Sequence, residues 1–131
     1  MSDFYFNPSH PGIAYGDGEL QGPGEKGQFV KLIDNDTFEV VSDAADIPVG
    51  IIYNLDKPQH VTPAATDRNK VAVYMDGGIY ETDNITGTIS ADDDLTFDPT
   101  NGNIKVWETD NFVVGKALAV EGSIVKFKLA L

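Results

Sequence analysis

The chain has no cysteine. That excludes a disulfide framework, a thiol nucleophile and a zinc–thiolate centre. Basic residues are scarce: nine Lys and Arg stand against 21 Asp and Glu, for a formal net charge of −12. Phosphate backbones are held by basic surfaces that release counterions, and anionic membranes attract basic patches. Neither direct nucleic-acid binding nor membrane binding is therefore expected. No run approaches the ~18–20 apolar residues that span a bilayer. The opening MSDFYFNPSHPG lacks the basic start and apolar stretch of a secretory signal, so the chain reads as made and kept in the cytosol, or released by lysis. Helical patterning is missing as well. No segment sustains apolar residues at the period of ~3.6 over successive turns.

What is present is alternation. In SIVKFKLAL, Val125, Phe127, Leu129 and Leu131 alternate with Lys126, Lys128 and Ala130, a period of two that sends one face inward. TFEVV and KVAVYM repeat it with Phe38 and Val40, then Val71, Val73 and Met75. Asp34-Asn35-Asp36 separates FVKLI from TFEVV, and Pro99 to Gly102 separates LTFD from NIKVW; each is a turn between strands, hence a hairpin. The first hairpin leads through DIPVGII to Gly50, the second through DNFVVGKAL to Gly115. Each half runs strand, polar turn, strand, acidic connection, Val-Gly, strand. At 131 residues and 41% apolar content, the chain reads as one all-β domain, a small Greek-key-like barrel or sandwich of two related β-units.

The leading residues differ. The first 25 hold three of the seven prolines and five of the 13 glycines, together with Phe4, Tyr5, Phe6, Ile13 and Tyr15. Such density of Gly and Pro argues against a regular element, yet disordered tails are poor in aromatics. The expectation is an extended N-terminal arm with a glycine-rich joint over residues 1–26, ahead of a β-domain over 27–131. The arm orders by laying its aromatics on another protein, or packs back on its own domain.

Catalytic signatures do not emerge. His10 and His60 lie in Pro-rich loops without a second ligand at metal spacing. There is no Gly-x-Ser-x-Gly, no phosphate loop and no His-Glu-x-x-His. GDGELQGPGEKG is glycine-rich, but no helix pattern follows to present backbone amides. Asp34 and Asp36, Asp92 to Asp94, and Asp98 are candidate acid–base or calcium carboxylates. They fall at turns, the most solvated places on a β-fold, and lack the ligand order of a calcium loop. Trp107, next to Lys105 and Val106 in the alternation, is a candidate subunit contact. No cofactor, metal site or enzyme activity is expected.

The segments GQFVKLIDNDTFEVV, PVGII, KVAVYMDGGIY, DLTFDPTNGNIKVW and VVGKALAVEGSIVKFKLAL, between Gly27 and Leu131, resemble the decoration or cement proteins of tailed-bacteriophage capsids. The central DNITGTISADDD departs from the shorter members. The resemblance implies a structural virion protein on the outer surface of the expanded capsid. It implies a homotrimer that binds the major capsid protein, with the arm residues Phe4, Tyr5, Phe6, Pro8, Ile13 and Tyr15 as capsid contacts. A different class remains open beside it, a sugar- or calcium-binding β-sandwich module of a fibre or adhesin, prompted by the acidic loops and aromatics.

Overall fold

The computed structural model describes residues 4–7, 14–56, 69–108 and 111–131. Among these the chain is all-β, with eleven strands and no helix. They are β1 (Phe4–Asn7), β2 (Ala14–Leu20), β3 (Phe29–Asp34), β4 (Thr37–Val40), β5 (Gly50–Asp56), β6 (Asn69–Asp76), β7 (Ile79–Thr82), β8 (Asp94–Phe97), β9 (Ile104–Val106), β10 (Gly115–Glu121) and β11 (Ile124–Leu129). Strands β2-β4-β3-β5-β6 close into a barrel. Strands β1-β7-β11-β10-β8-β9 form a second, six-stranded sheet.

The two halves are one motif built twice. In each, a hairpin's first strand sits between the hairpin's second strand and a strand that begins with glycine. Val30 thus pairs with Val40 and Gly50, and Leu95 with Val106 and Gly115. The glycine strand then forms a hairpin with the last strand of its half, and each of these hairpins slips register at the same place. The slip lies between Ile52 and Asn54 in one and between Ala117 and Ala119 in the other. The loop hydrogen bonds recur as well. Val41 N–H donates to Phe29 O and Trp107 N–H to Asp94 O; Val49 N–H donates to Val30 O and Val114 N–H to Leu95 O.

The two glycines have one physical reason. A Cβ at Gly50 would stand 2.7 Å from Tyr74 O, and one at Gly115 would collide with Lys128 O, the backbone oxygen at the matching place. Each unit also has a leading strand beside its last strand. In the first unit this is β2, which pairs antiparallel with β6 and parallel with β4, closing the barrel. In the second it is β7, antiparallel to β11, with only an isolated parallel bridge from Ile85 to Ile104 beyond it. The second unit is therefore a barrel left almost open, and β1 pairs on the free side of β7.

The cores follow this difference. Leu20, Val30, Phe38, Ile52, Val71 and Val73 fill the first barrel. The second unit's interior, including Leu95, Phe97, Ile104, Val125 and Phe127, forms one cluster with Phe29, Val41 and Ile51 from the outside of the first barrel. The first unit thus completes the core of the second. Each large apolar side chain buried in this way contributes about 1.5–3 kcal/mol.

The expected division at residue 26 is not where the fold divides. Ala14–Leu20 is a stave of the first barrel, in register with β6 from Ala14↔Asp76 to Leu20↔Asn69. Gly18 within it is required rather than disruptive. A Cβ at Gly18 would strike Asp36 O and come within 2.6 Å of the Phe38 ring, because β4 runs close alongside.

Candidate interaction surface

The loop carboxylates came forward first as candidates for chemistry, and the structure gives most of them local work. In Asp92-Asp93-Asp94, Asp93 accepts a hydrogen bond from Ser90 N–H at 2.8 Å, while Asp92 and Asp94 lie 3.3 and 3.8 Å from the Lys116 ammonium. Asp34 accepts from Asn35 N–H, and Asp43 from Ala45 N–H. These are the self-bonding turns that short acidic side chains form wherever a chain reverses. Among the described residues no three His, Cys, Asp or Glu side chains gather where they would hold a metal ion. His10 and His60 lie outside the described residues.

Asp98 departs from expectation. It sits at a turn but is only 8% exposed. The turn, which follows β8, is seated on the first unit by its Asp98 and Gly102 ends, with Thr100 and Asn101 exposed between them. Phe29 N–H donates to Gly102 O at 2.9 Å, and the Gln28 side chain donates to Asn101 O at 2.8 Å. A Cβ on Gly102, whose φ is +76°, would press on Val40 at 2.7 Å. Asp98 accepts from Thr100 N–H at 2.9 Å and from the Thr100 hydroxyl at 2.6 Å. Partial burial raises its pKa, but the Thr100 hydrogen bonds, a further one from Thr86 and the charge of Lys105 outweigh it and hold the carboxyl below its ordinary value. Asp98 closes the turn that is seated on the first unit.

A second polar network supports the loop ahead of β5. Asp46 accepts from Ser42 N–H at 2.8 Å, from Asp43 N–H at 3.0 Å and from Lys31 at 3.0 Å, and Glu39 stands 3.6 Å from Lys31. The Asp46 hydrogen bond, set against partial desolvation, raises the Lys31 pKa. At the joint of the units lies Tyr80, fully buried, with its hydroxyl donating to Gly77 O at 2.8 Å and its ring 5.1 Å from Tyr74. Burial pushes its phenol pKa up, with Tyr74 and Asp76 adding to the effect.

The sequence-proposed contact residues fall in different places. Phe4, Tyr5 and Phe6 lie in β1 on the edge of the second sheet, and Tyr15 lies in β2 opposite Tyr74. Pro8 and Ile13 fall outside the described residues. Trp107 is 38% exposed, its indole N–H donating to Asn111 O at 2.8 Å, with Phe112 and Val113 exposed on the same loop. The alternation of SIVKFKLAL hid a further feature. Lys105, Lys116, Lys126 and Lys128, all the bases after residue 77, flank inward-pointing neighbours on β9, β10 and β11. They lie on the outer side of the second unit together with Trp107. Only the pairing of the strands reveals that these separate alternations share one face.

An open groove of about 910 Å³ runs along the joint between the units, lined by Gln21, Glu25, Gln28, Glu39, Ser42 and Asn101 among others. Comparison with family models, with curated proteins and with solved structures finds no match to this chain.

Proposed function

We propose that the protein is a structural component of a tailed-phage virion, seated on the outer surface of the expanded capsid, where it cements neighbouring major capsid protein subunits. The observation that supports this reading best is a contrast in how side chains are used. The loop acids fold their own turns, whereas Trp107, Phe112 and Val113 remain exposed on one loop. Exposed aromatic and apolar residues gathered in one place are the usual mark of a protein–protein contact. A protein that bridges subunits of an expanded shell, and does not bind the unexpanded one, stabilises it by differential affinity. A homotrimer would multiply that effect, because several joined contacts raise the effective concentration of each. The leading strand β1 is held to the body through one ladder, with β7, and so is the element most readily lent to a neighbour.

The test is to mix the purified protein with expanded and unexpanded heads of the phage that encodes it and to image both. Decoration confined to the expanded lattice is the expected result; no decoration of either would overturn the reading. Removal of residues 1–13 tests the leading segment separately. A longer deletion, through Gly24, would take out a barrel stave and confound loss of binding with loss of fold.

A second reading, a saccharide-binding module, has the joint groove in its favour, since its amide, hydroxyl and carboxylate groups suit a polyhydroxylated ligand. Calorimetry against a glycan panel distinguishes the two: saturable heat that disappears in Gln28→Ala would favour the sugar.

A further inference from the structure

The internal duplication singles out one face of the second unit. In the first unit the cross-strand row Val41, Phe29, Ile51, Tyr74 lies on the barrel's outer side and packs against the second unit. The matching row in the second unit is Trp107, Asp94, Lys116, Lys128. No described residue covers it: Trp107, Asp94, Lys116 and Lys128 are all exposed. The same backbone surface is therefore a protein-docking face in one unit and open in the other. Its chemistry is unlike the remainder of a chain of net charge −12, since it gathers every base after residue 77 beside the only tryptophan. Lys116 is paired to Asp92 and Asp94, and Lys105 to Glu108. Lys128 makes no ion pair among the described residues, while the half-buried Lys126 stands directly opposite Glu81 of β7 on the same face.

We propose that this face is the docking surface for an acidic protein partner, with Trp107 as the apolar anchor and Lys126 and Lys128 as the charges that select it. Resting on the function proposed above, the partner is a carboxylate-bearing patch of the capsid's outer surface. An aromatic anchor gives affinity at one end of the row, and Lys128, at the other end beyond Asp94 and Lys116, adds steering at the rim. A second copy of this chain is a poorer occupant. Its first barrel is already closed and filled, and so offers no open core for the row to cover.

The experiment measures decoration of expanded heads by the full chain, by Trp107→Ala, by Lys126→Glu/Lys128→Glu and by Lys126→Arg/Lys128→Arg. Light scattering of each variant alone reports self-association. Weakening of about tenfold or more is expected for the first two variants, with the arginine pair close to wild type and wild-type affinity falling as salt rises. Unchanged melting temperatures establish that the lysine variants remain folded. Wild-type decoration that persists undiminished in Lys126→Glu/Lys128→Glu overturns the face and leaves the functional reading standing. A full chain that decorates no head overturns both. Self-association lost in the glutamate pair, with decoration intact, assigns the face to a second copy and overturns the acidic capsid patch.

Discussion

The two units share a backbone plan and differ in what their surfaces are made of. In the first, the outer row is Val41, Phe29, Ile51 and Tyr74; in the second it is Trp107, Asp94, Lys116 and Lys128. Strand order, register slip and glycine positions are the same, so none of these decides which face is buried. Four side chains do. The other asymmetry matches it. The first unit's barrel is closed over its own core, while the second unit's core is completed by its neighbour. A closed barrel at one end and a charged row at the other terminate the array at two units. Repeat proteins generally need polar caps for the same reason.

Moving the second unit's row into the first should produce the largest effect. Phe29→Asp with Ile51→Lys would place two charges at the joint and remove two large apolar groups from the shared core. Each loss on its own is worth about 2–5 kcal/mol, and burying unpaired charge adds to it. The pair should abolish cooperative unfolding of the second unit in urea, followed by Trp107 fluorescence, while the first barrel's own core stays intact. Loss of both units together would mean that the first barrel is not self-sufficient. The reverse exchange, Asp94→Phe with Lys116→Ile, should leave the fold standing and expose a new apolar row. Concentration-dependent self-association by sedimentation is the expected outcome. A variant that stays monomeric would show that the charged row is not what prevents further packing.

Next in size are the paired glycines. Gly50→Ala and Gly115→Ala force a methyl group against Tyr74 O and Lys128 O respectively, and overpacking of this kind costs about 1–3 kcal/mol. Similar destabilisation at both places, measured by chemical denaturation, is expected because the duplication places them alike. A neutral Gly115→Ala would break the equivalence of the units.

How much of this was legible depended on whether the signal was local. Both hairpins and the Val-Gly echo are written in turn residues and alternation, and the fold places them in equivalent positions. The sequence pattern assigns Ala14–Leu20 to an arm because its glycines and charges disguise a strand. It becomes one because β4 and β6 each offer it an unpaired edge, a tertiary fact that propensity does not contain. Asp98 looked solvated for the same reason. Its turn is polar, and the bonds that seat that turn on the neighbouring unit, from Phe29 to Gly102 and from Gln28 to Asn101, are long-range. The lysine–tryptophan face was visible as separate alternations but not as one surface, since that requires knowing which strands pair.

The Asp98 turn should be worth less than the glycines. Asp98→Asn weakens the hydrogen bonds from Thr100 and a favourable charge near Lys105, and should cost about 1–2 kcal/mol at neutral pH. The sign of its pH dependence follows from its depressed pKa. The stabilisation is present above the ordinary carboxylate value, about 4, and is lost as pH falls through the lower folded-state value. Wild type should therefore lose stability more steeply than Asp98→Asn below about pH 4, with the two curves converging in strong acid. Parallel curves would mean that the Asp98 carboxylate does not hold its turn.

The smallest effect expected is at the Lys31–Asp46 pair, which supports the first unit's connecting loop and has no counterpart at the matching place, where the second unit has Thr96 instead of Lys31. The pair is partly solvated, and a double-mutant cycle of Lys31→Met and Asp46→Asn should give a coupling of about 0.5–1 kcal/mol. Titration sharpens the test. Lys31 is raised above 10.5 chiefly by the Asp46 hydrogen bond, so its contribution is complete below that value and fades as pH rises through the folded-state value. Asp46 is lowered: burial opposes the shift, but the Ser42 and Asp43 amides and Lys31 prevail, so its contribution fades in acid. Because two of those three partners are backbone amides, Lys31→Met should leave most of the acid-side dependence in place and remove the alkaline one. If both limbs vanished together, the loop would be held by the ion pair rather than by the turn that Asp46 closes.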